Sequence, residues 1–523
     1  MKRLILFLCL LLPALPQHAQ GINEAELRKF FVAAQNIYGL YVDTVNAHKL
    51  VEDAIRGMLE HLDPHSNYSD AQETKKLNEP LQGSFDGIGV QFNMLEDTVL
   101  VIQPITKGPS ERVGILAGDR IISCNDTTLA GVKMSRDEIM RHLRGPRGSI
   151  AHLGIRREGI KELLYFDVQR DKIPVNSVDA AFMITPKIGL IRFNNFAQTT
   201  HREILEALVN LKMQGMESLI IDLTQNGGGY LGAAAEIASE FLPEGDMIVY
   251  TEGRSAAPRE FRSRGGHAFQ EGRVAVLVDE YSASAAEILS GALQDQDRGI
   301  VVGRRTFGKG LVQWPIDLPD GSMIRLTVSR YYTPSGRCIQ KPYEKGKQKE
   351  YHMDVINRYN NGELTNADSI HFPDSLKYKT LRKGRIVYGG GGVMPDIFVP
   401  LDTTRFTKTY RQLSAKSLII NHNLRYLDKN RKTLQQRYPD FETFRKNFEV
   451  PQSLIDGIYT EADKQKIERP KEEREATDER LRQTLKALIA RDLWDMYEYF
   501  AIVYEDDPIV TMAVKKLSEP DLP

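Results

Sequence analysis

The chain has 523 residues, 27% charged and 41% hydrophobic, the balance of a soluble globular protein. Its net charge of −1 provides no global field favouring nucleic acid or an anionic membrane, so partner selection must come from local pockets. The length exceeds a single compact core and predicts several domains.

Residues 1–20 read as a signal peptide. Lys2-Arg3 precedes the apolar run Leu4 to Leu12, and Gln17-His-Ala-Gln20 offers a cleavage site. The run is short for a membrane span, and Cys9 has no lipobox around it. Export is expected, to the periplasm of a Gram-negative-type bacterium, with secretion or envelope association as the alternatives. Cys124 and Cys338 remain in what read as different domains, which argues against a structural disulfide.

Residues 21–82 are predicted helical. Leu27, Phe30, Phe31, Ala34 and Ile37 share one face, as do Leu50, Val51, Ala54, Ile55, Met58 and Leu62. Asp63-Pro-His-Ser66 ends the second helix, and His65 reads as a turn residue because no second histidine lies at ligand spacing. Residues 83–172 change to short β-like runs separated by glycine turns, with a helix near 135–143. The order Gly87-Ile-Gly-Val90, Ala117-Gly-Asp-Arg120, that helix and Arg144-Gly-Pro-Arg-Gly148 resembles a PDZ domain. The resemblance implies that Gly87, Ile88, Gly89 and Val90 turn backbone amides toward a peptide's terminal carboxylate, the peptide adding as a strand. A plain glycine turn in a small barrel is the alternative.

Residues 173–402 open with strand, helix, strand, helix: Ile188-Gly-Leu-Ile-Arg-Phe193, 200–214, Ser218-Leu-Ile-Ile-Asp-Leu223 and 233–241. Between the second strand and second helix lies Asn226-Gly-Gly-Gly229. Amides at such a helix start bind a phosphate or stabilise an oxyanion. A dinucleotide fingerprint is disfavoured because the glycines are contiguous. The run Val274-Ala-Val-Leu-Val278, then Tyr281-Ser-Ala-Ser-Ala-Ala-Glu287, then the amphipathic Ile288 to Leu293 reads as strand, tight turn, helix. This puts Ser284 at the positive end of a helix, where Lys309, on a following strand, would reach it and act as its base.

Two plainer explanations compete. Ser284-Ala-Ala-Glu287 is also a capping box. Gly303-Arg-Arg-Thr-Phe-Gly-Lys309 has the spacing of a phosphate-binding loop, but Gly310 replaces the hydroxyl residue and Leu311-Val-Gln-Trp-Pro315 does not open a helix. Further strand follows over 321–334, then a polar stretch over 340–385. The quartet Gly389–Gly392 is either a hinge or a backbone-packing turn. Residues 403–523 are charged and helical, with Leu481, Leu485, Leu488, Ile489, Leu493 and Met496 on one stripe and a solvated face over 468–480.

These motifs together resemble the carboxyl-terminal processing peptidases, or tail-specific proteases. The markers are Leu62-Asp-Pro-His-Ser66, the PDZ landmarks, Asn226-Gly-Gly-Gly229, Ser282-Ala-Ser-Ala-Ala-Glu287, Thr306-Phe-Gly-Lys-Gly-Leu-Val-Gln313 and Tyr332-Thr-Pro-Ser-Gly336. The resemblance implies an α/β multidomain chain: an N-terminal helical region, a PDZ domain, a protease core related to the crotonase-like fold over 173–402, and a helical extension outside the shared core. It implies Ser284 as nucleophile in preference to Ser282, Lys309 as general base and Gln313 as the residue orienting the lysine. Many relatives carry proline at Gly227 and serine at Ala286, positions not expected to carry chemistry.

The lysine chemistry has a physical requirement. A free lysine titrates at about 10.4. Burial among apolar neighbours must lower that by roughly 3 to leave a usable amine. The amides of Gly228 and Ala285 are the candidate oxyanion hole. No metal, nucleotide or other cofactor is expected, and the eleven histidines show no zinc-type pairing. Expected partners are exported proteins bound through their C-termini, with an adaptor or a second copy on the helical extension. The PDZ domain is expected to gate the site. The rival from another class is a non-catalytic peptide-binding scaffold on the same fold.

Overall fold

A computed structural model of the chain describes residues 22–520, so the signal-peptide reading of residues 1–20 lies outside the described residues. Among them, no helix is long and apolar enough to cross a membrane.

The centre is a six-stranded sheet. Its strands run in the order Val178–Met183, Ile188–Phe193, Ser218–Asp222, Arg273–Val278, Ile300–Gly303, Ile397–Phe398, all parallel except the first. Continuous apolar sequence in Ser218–Asp222 and Arg273–Val278 follows from burial on both faces. Alternate residues serve the two faces. Leu219, Ile221, Val274 and Val276 pack against helices Thr200–Met213, Leu231–Ser239 and Ala285–Asp295. Leu190, Ile220, Ala275, Leu277 and Val302 pack against Ile509, Val510, Ala513 and Leu517 of the last helix, Pro508–Ser518.

The helical extension is therefore a structural layer of the core rather than an addition outside it. A buried polar link reinforces the contact. Tyr504 donates to Asp222, which also accepts from Arg192 at 2.6 Å, and Arg192 lies 4.4 Å over the Phe500 ring. Deleting residues 508–520 should uncover the second face of the sheet and leave the protein insoluble or without a cooperative thermal transition. Soluble yield and a melt of the truncated chain check this; a wild-type melt would overturn the layer assignment.

A second, antiparallel sheet carries Asn67–Ser69, Leu311–Asp317, Met323–Tyr332, Met247–Glu252 and Arg259–Arg262. The PDZ-like unit is a six-stranded sheet with helix Arg136–Leu143 against it. It joins the rest of the chain through a two-stranded pairing of Ser84–Gly87 with Asp171–Pro174. Cys124 is buried in this unit and is a free thiol, as is Cys338.

The N-terminal helices Glu24–Leu40 and Ala47–Glu60 form; the second buries Leu59, but the apolar face of the first has no buried residue. Leu27 is 52% exposed, Phe30 54% and Phe31 60%. Periodicity correctly marked the face; among the described residues no element of the chain covers it. Exposed apolar surface of this kind is unusual on a monomer. In the extension, by contrast, Leu481, Leu485, Leu488, Ile489 and Leu493 are buried.

Candidate active site

Two segments meet beneath one cavity of about 570 Å³ lined by Ser284, Lys309, Gln313, Gly228, Tyr230 and Arg325, among others. Ser284 closes the turn between strand Arg273–Val278 and helix Ala285–Asp295. Ser135 supplies an internal comparison, because Ser135 and Ser284 are both helix caps followed three residues later by glutamate. Ser135 has the ordinary extended backbone of a cap, φ −67° and ψ 153°. Ser284 sits at φ 57° and ψ −114°, a conformation that costs a non-glycine residue about 1–3 kcal/mol. Capping alone does not require that strain. A sharp turn that raises a hydroxyl into a cavity does.

Ser282, the neighbouring candidate, is fully buried. Its hydroxyl donates to the Leu223 carbonyl at 2.7 Å and accepts from the Asp279 N–H at 2.9 Å. It holds the turn, while Ser284 lines the cavity.

Glu287 ties the two segments together. One of its carboxylate oxygens accepts the N–H groups of Ser284 at 2.8 Å and Lys309 at 2.9 Å. The other accepts the Gly308 N–H at 2.8 Å and the Thr306 hydroxyl. Burial pushes this carboxyl up to about 7, and the four donors pull the other way. The Tyr331 hydroxyl bridges the same segments, donating to the carbonyls of Ser284 at 3.1 Å and Lys309 at 2.6 Å. A phosphate-binding role for Gly303 to Lys309 is incompatible with this arrangement. The amides of Gly308 and Lys309 already face a carboxylate, and strand Leu311–Asp317 follows where a helix is required.

Lys309 lies in the irregular loop before that strand, not on it. The expectation that Lys309 lies on a strand is thus corrected. Burial is the largest influence on Lys309 and lowers its pKa, with the Arg325 charge acting the same way and Glu287 and Asp63 opposing. Among the described residues no carboxylate forms an ion pair with it. The loop is backed by the glycine quartet, which is a packing turn rather than a hinge. A Cβ on Gly308 would stand 3.1 Å from the Gly392 nitrogen, and Thr306 exchanges hydrogen bonds with Val393 at 3.1 and 2.7 Å.

Among the described residues, Gln313 forms no hydrogen bond with Lys309. Its amide donates to the Thr327 hydroxyl at 3.1 Å, which donates to Asp63 at 2.9 Å, and Asp63 accepts from Ser66. The Asp63-Pro-His-Ser66 turn is thereby wired to the cavity wall. His65 bonds the Tyr351 hydroxyl at 2.8 Å, and burial together with the Lys309 charge lowers it to about 3, keeping the ring neutral. Sequence reading recognised this turn as a marker but gave it no contact; the only signal was its place among the motifs.

Gly228 lies against Ser284: a Cβ there would sit 2.8 Å from the Ser284 Cβ and 2.9 Å from the Ala285 nitrogen, so only glycine fits, at φ +98°. The Gly228 N–H donates to the Asn226 side chain at 2.9 Å. Ala285 opens the helix, where amides lack intrahelical partners. In the PDZ-like unit, Ile88, Gly89 and Val90 line a second cavity of about 510 Å³. Gly87 does not line it; it pairs with Asp171 in the connecting strands.

Comparison with known proteins gives the family of each region. Residues 187–350 match peptidase family S41, 87–179 a PDZ domain and 14–74 the activating protease CtpB N-terminal domain; 409–495 match a family of unknown function. The carboxy-terminal processing protease CtpB of Bacillus subtilis is 35% identical over 333 residues, covering 63% of this chain and 69% of that one. The carboxy-terminal-processing protease of Bartonella bacilliformis is 34% identical over 60% of this chain and 73% of its own. The chain belongs to the carboxy-terminal processing proteases. This protease is a serine-type peptidase of α/β architecture with a PDZ domain. Among solved structures, the photosystem II D1 C-terminal processing protease aligns at 26% identity and TM-score 0.35, over 71% of this chain and 88% of that one.

Proposed function

We propose that this protease is an exported endopeptidase that cleaves proteins at or near their C-termini with a Ser284–Lys309 dyad. The observation that carries the reading is the strained Ser284 held with Lys309 by one buried carboxylate at a shared cavity. Neutral Lys309 takes the Ser284 proton as the hydroxyl attacks the scissile carbonyl. The Ala285 amide, with Gly228 once its N–H leaves Asn226, receives the oxyanion; one such donor is worth about 2.7–4 kcal/mol. Gln313 acts through Thr327 and Asp63, holding the wall beside the lysine rather than the lysine itself.

The PDZ domain captures the substrate terminus at Ile88, Gly89 and Val90 and gates the site. An apolar last residue is selected by Ile88 and Val90. In a series of protein substrates differing only at the last residue, apolar termini should be cleaved fastest, and amidation of the terminus should slow cleavage at least tenfold. Equal rates across the series would refute terminal capture. The leader-like residues 1–20 support export to the periplasm, which a processed N-terminus on the envelope-fraction protein would verify. The non-catalytic scaffold is separated by a serine-reactive probe: labelling lost in Ser284→Ala supports the dyad, and equal labelling supports the scaffold.

A further inference from the structure

The peptide groove of the PDZ domain is not built by the PDZ domain alone. The cavity between strand Val90–Leu95 and helix Arg136–Leu143 has a further wall made by Ile420, Arg491 and Asp492 of the helical extension. The extension is anchored there by an apolar contact of Leu424 and Ile420 with Leu95, Leu100 and Ile102. Ion pairs of Arg120 with Asp428 at 2.5 Å and of Arg425 with Glu96 at 3.2 Å flank it.

This wall carries an Arg491–Asp492 ion pair whose arginine is the more exposed partner. The Asp492 carboxylate is buried, 1% exposed, and satisfied by Arg491 at 2.8 Å and by the Asn423 amide at 2.8 Å. Arg491 is 28% exposed, so its guanidinium, which carries more donors than Asp492 uses, is the group presented to the groove. Across the groove, Arg136 lies 5.2 Å over the Phe92 ring and, among the described residues, forms no ion pair with a carboxylate. The third guanidinium on the lining, Arg144, is paired with Glu79, as Arg491 is with Asp492.

We infer that the helical extension is part of the substrate-recognition site. Arg491, together with Arg136, selects peptides carrying a carboxylate side chain a few residues before the apolar C-terminal residue. The inference rests on the reading that the PDZ domain captures substrate termini. A peptide added as a strand turns alternate side chains to opposite sides, so the preference should be confined to particular positions.

The test is fluorescence anisotropy on full-length Ser284→Ala protein with labelled octapeptides sharing one apolar last residue. One peptide is neutral upstream, and others carry a single Glu or Lys at each of the four preceding positions. Glu at one or two positions is expected to tighten binding about tenfold, and this gain should shrink as salt rises. In a Ser284→Ala, Arg491→Gln protein that gain should disappear while the neutral peptide binds as before; Arg136→Gln should act likewise. Glu and neutral peptides binding alike, or Arg491→Gln weakening both equally, would overturn the inference while leaving terminal capture intact. If no peptide binds, or amidated peptides bind as well as free acids, terminal capture itself fails and this inference with it.

Discussion

Ser284→Ala is expected to abolish cleavage of a denatured model protein, by roughly 10⁴-fold or more, while leaving the melting curve close to wild type. Lys309→Ala should do the same. The two losses should not add in the double variant, because nucleophile and base act as one unit. The lysine also predicts a pH profile. In the proposed dyad activity requires the neutral amine, so kcat/KM should rise with pH through an ascending limb set by Lys309, below the 10.5 of an unperturbed lysine. Arg325 lowers that pKa, so Arg325→Gln should move the limb to higher pH. Substantial activity in Ser284→Ala, or a limb unmoved by Arg325→Gln, would contradict the scheme.

The second large effect is expected at Glu287, a residue that touches no substrate. Glu287→Ala removes the acceptor of three backbone N–H groups and the Thr306 hydroxyl at a fully buried position. A buried donor left without a partner costs about 1–3 kcal/mol. The combined loss should therefore reach about 3–5 kcal/mol even after partial relaxation. Urea denaturation would report it as a lower midpoint. The active-site segments also lose their common tie, so kcat should fall in whatever fraction stays folded. Glu287→Gln keeps the volume but turns an NH₂ group toward donors, and should lie between alanine and wild type. A wild-type midpoint together with wild-type kcat for Glu287→Ala would remove Glu287 from this role.

The elements around the candidate site were legible because strand, turn and helix are written in short local patterns. The apolar run before Ser284, the amphipathic run after it and the glycines after Asp222 each declare strand, turn or helix from neighbours alone. Glu287 was legible only as half of a capping box. That half is present, but its bonds to Gly308 and Lys309 span 21 and 22 residues, which no local pattern encodes. The same holds for Asp63, whose partner Thr327 lies 264 residues away. The strand position assigned to Lys309 failed because Glu287 and the glycine quartet hold that segment as a loop, against its neighbours' β-like composition. The face on Leu27, Phe30 and Phe31 was read correctly as apolar, but periodicity says which side of a helix is greasy, not whether the same chain covers it.

Local spacing and hydrophobic period were enough to read the alternating strands and helices of the core and the turn and glycine segments between them, because both act over a few residues. That the helical extension covers one face of the core sheet and walls the PDZ groove emerges only on folding. Folding also brings the backbone amides of Ser284 and Lys309 onto one buried carboxylate. Those relations join residues far apart in the chain, and they exist only once burial has removed the competing water.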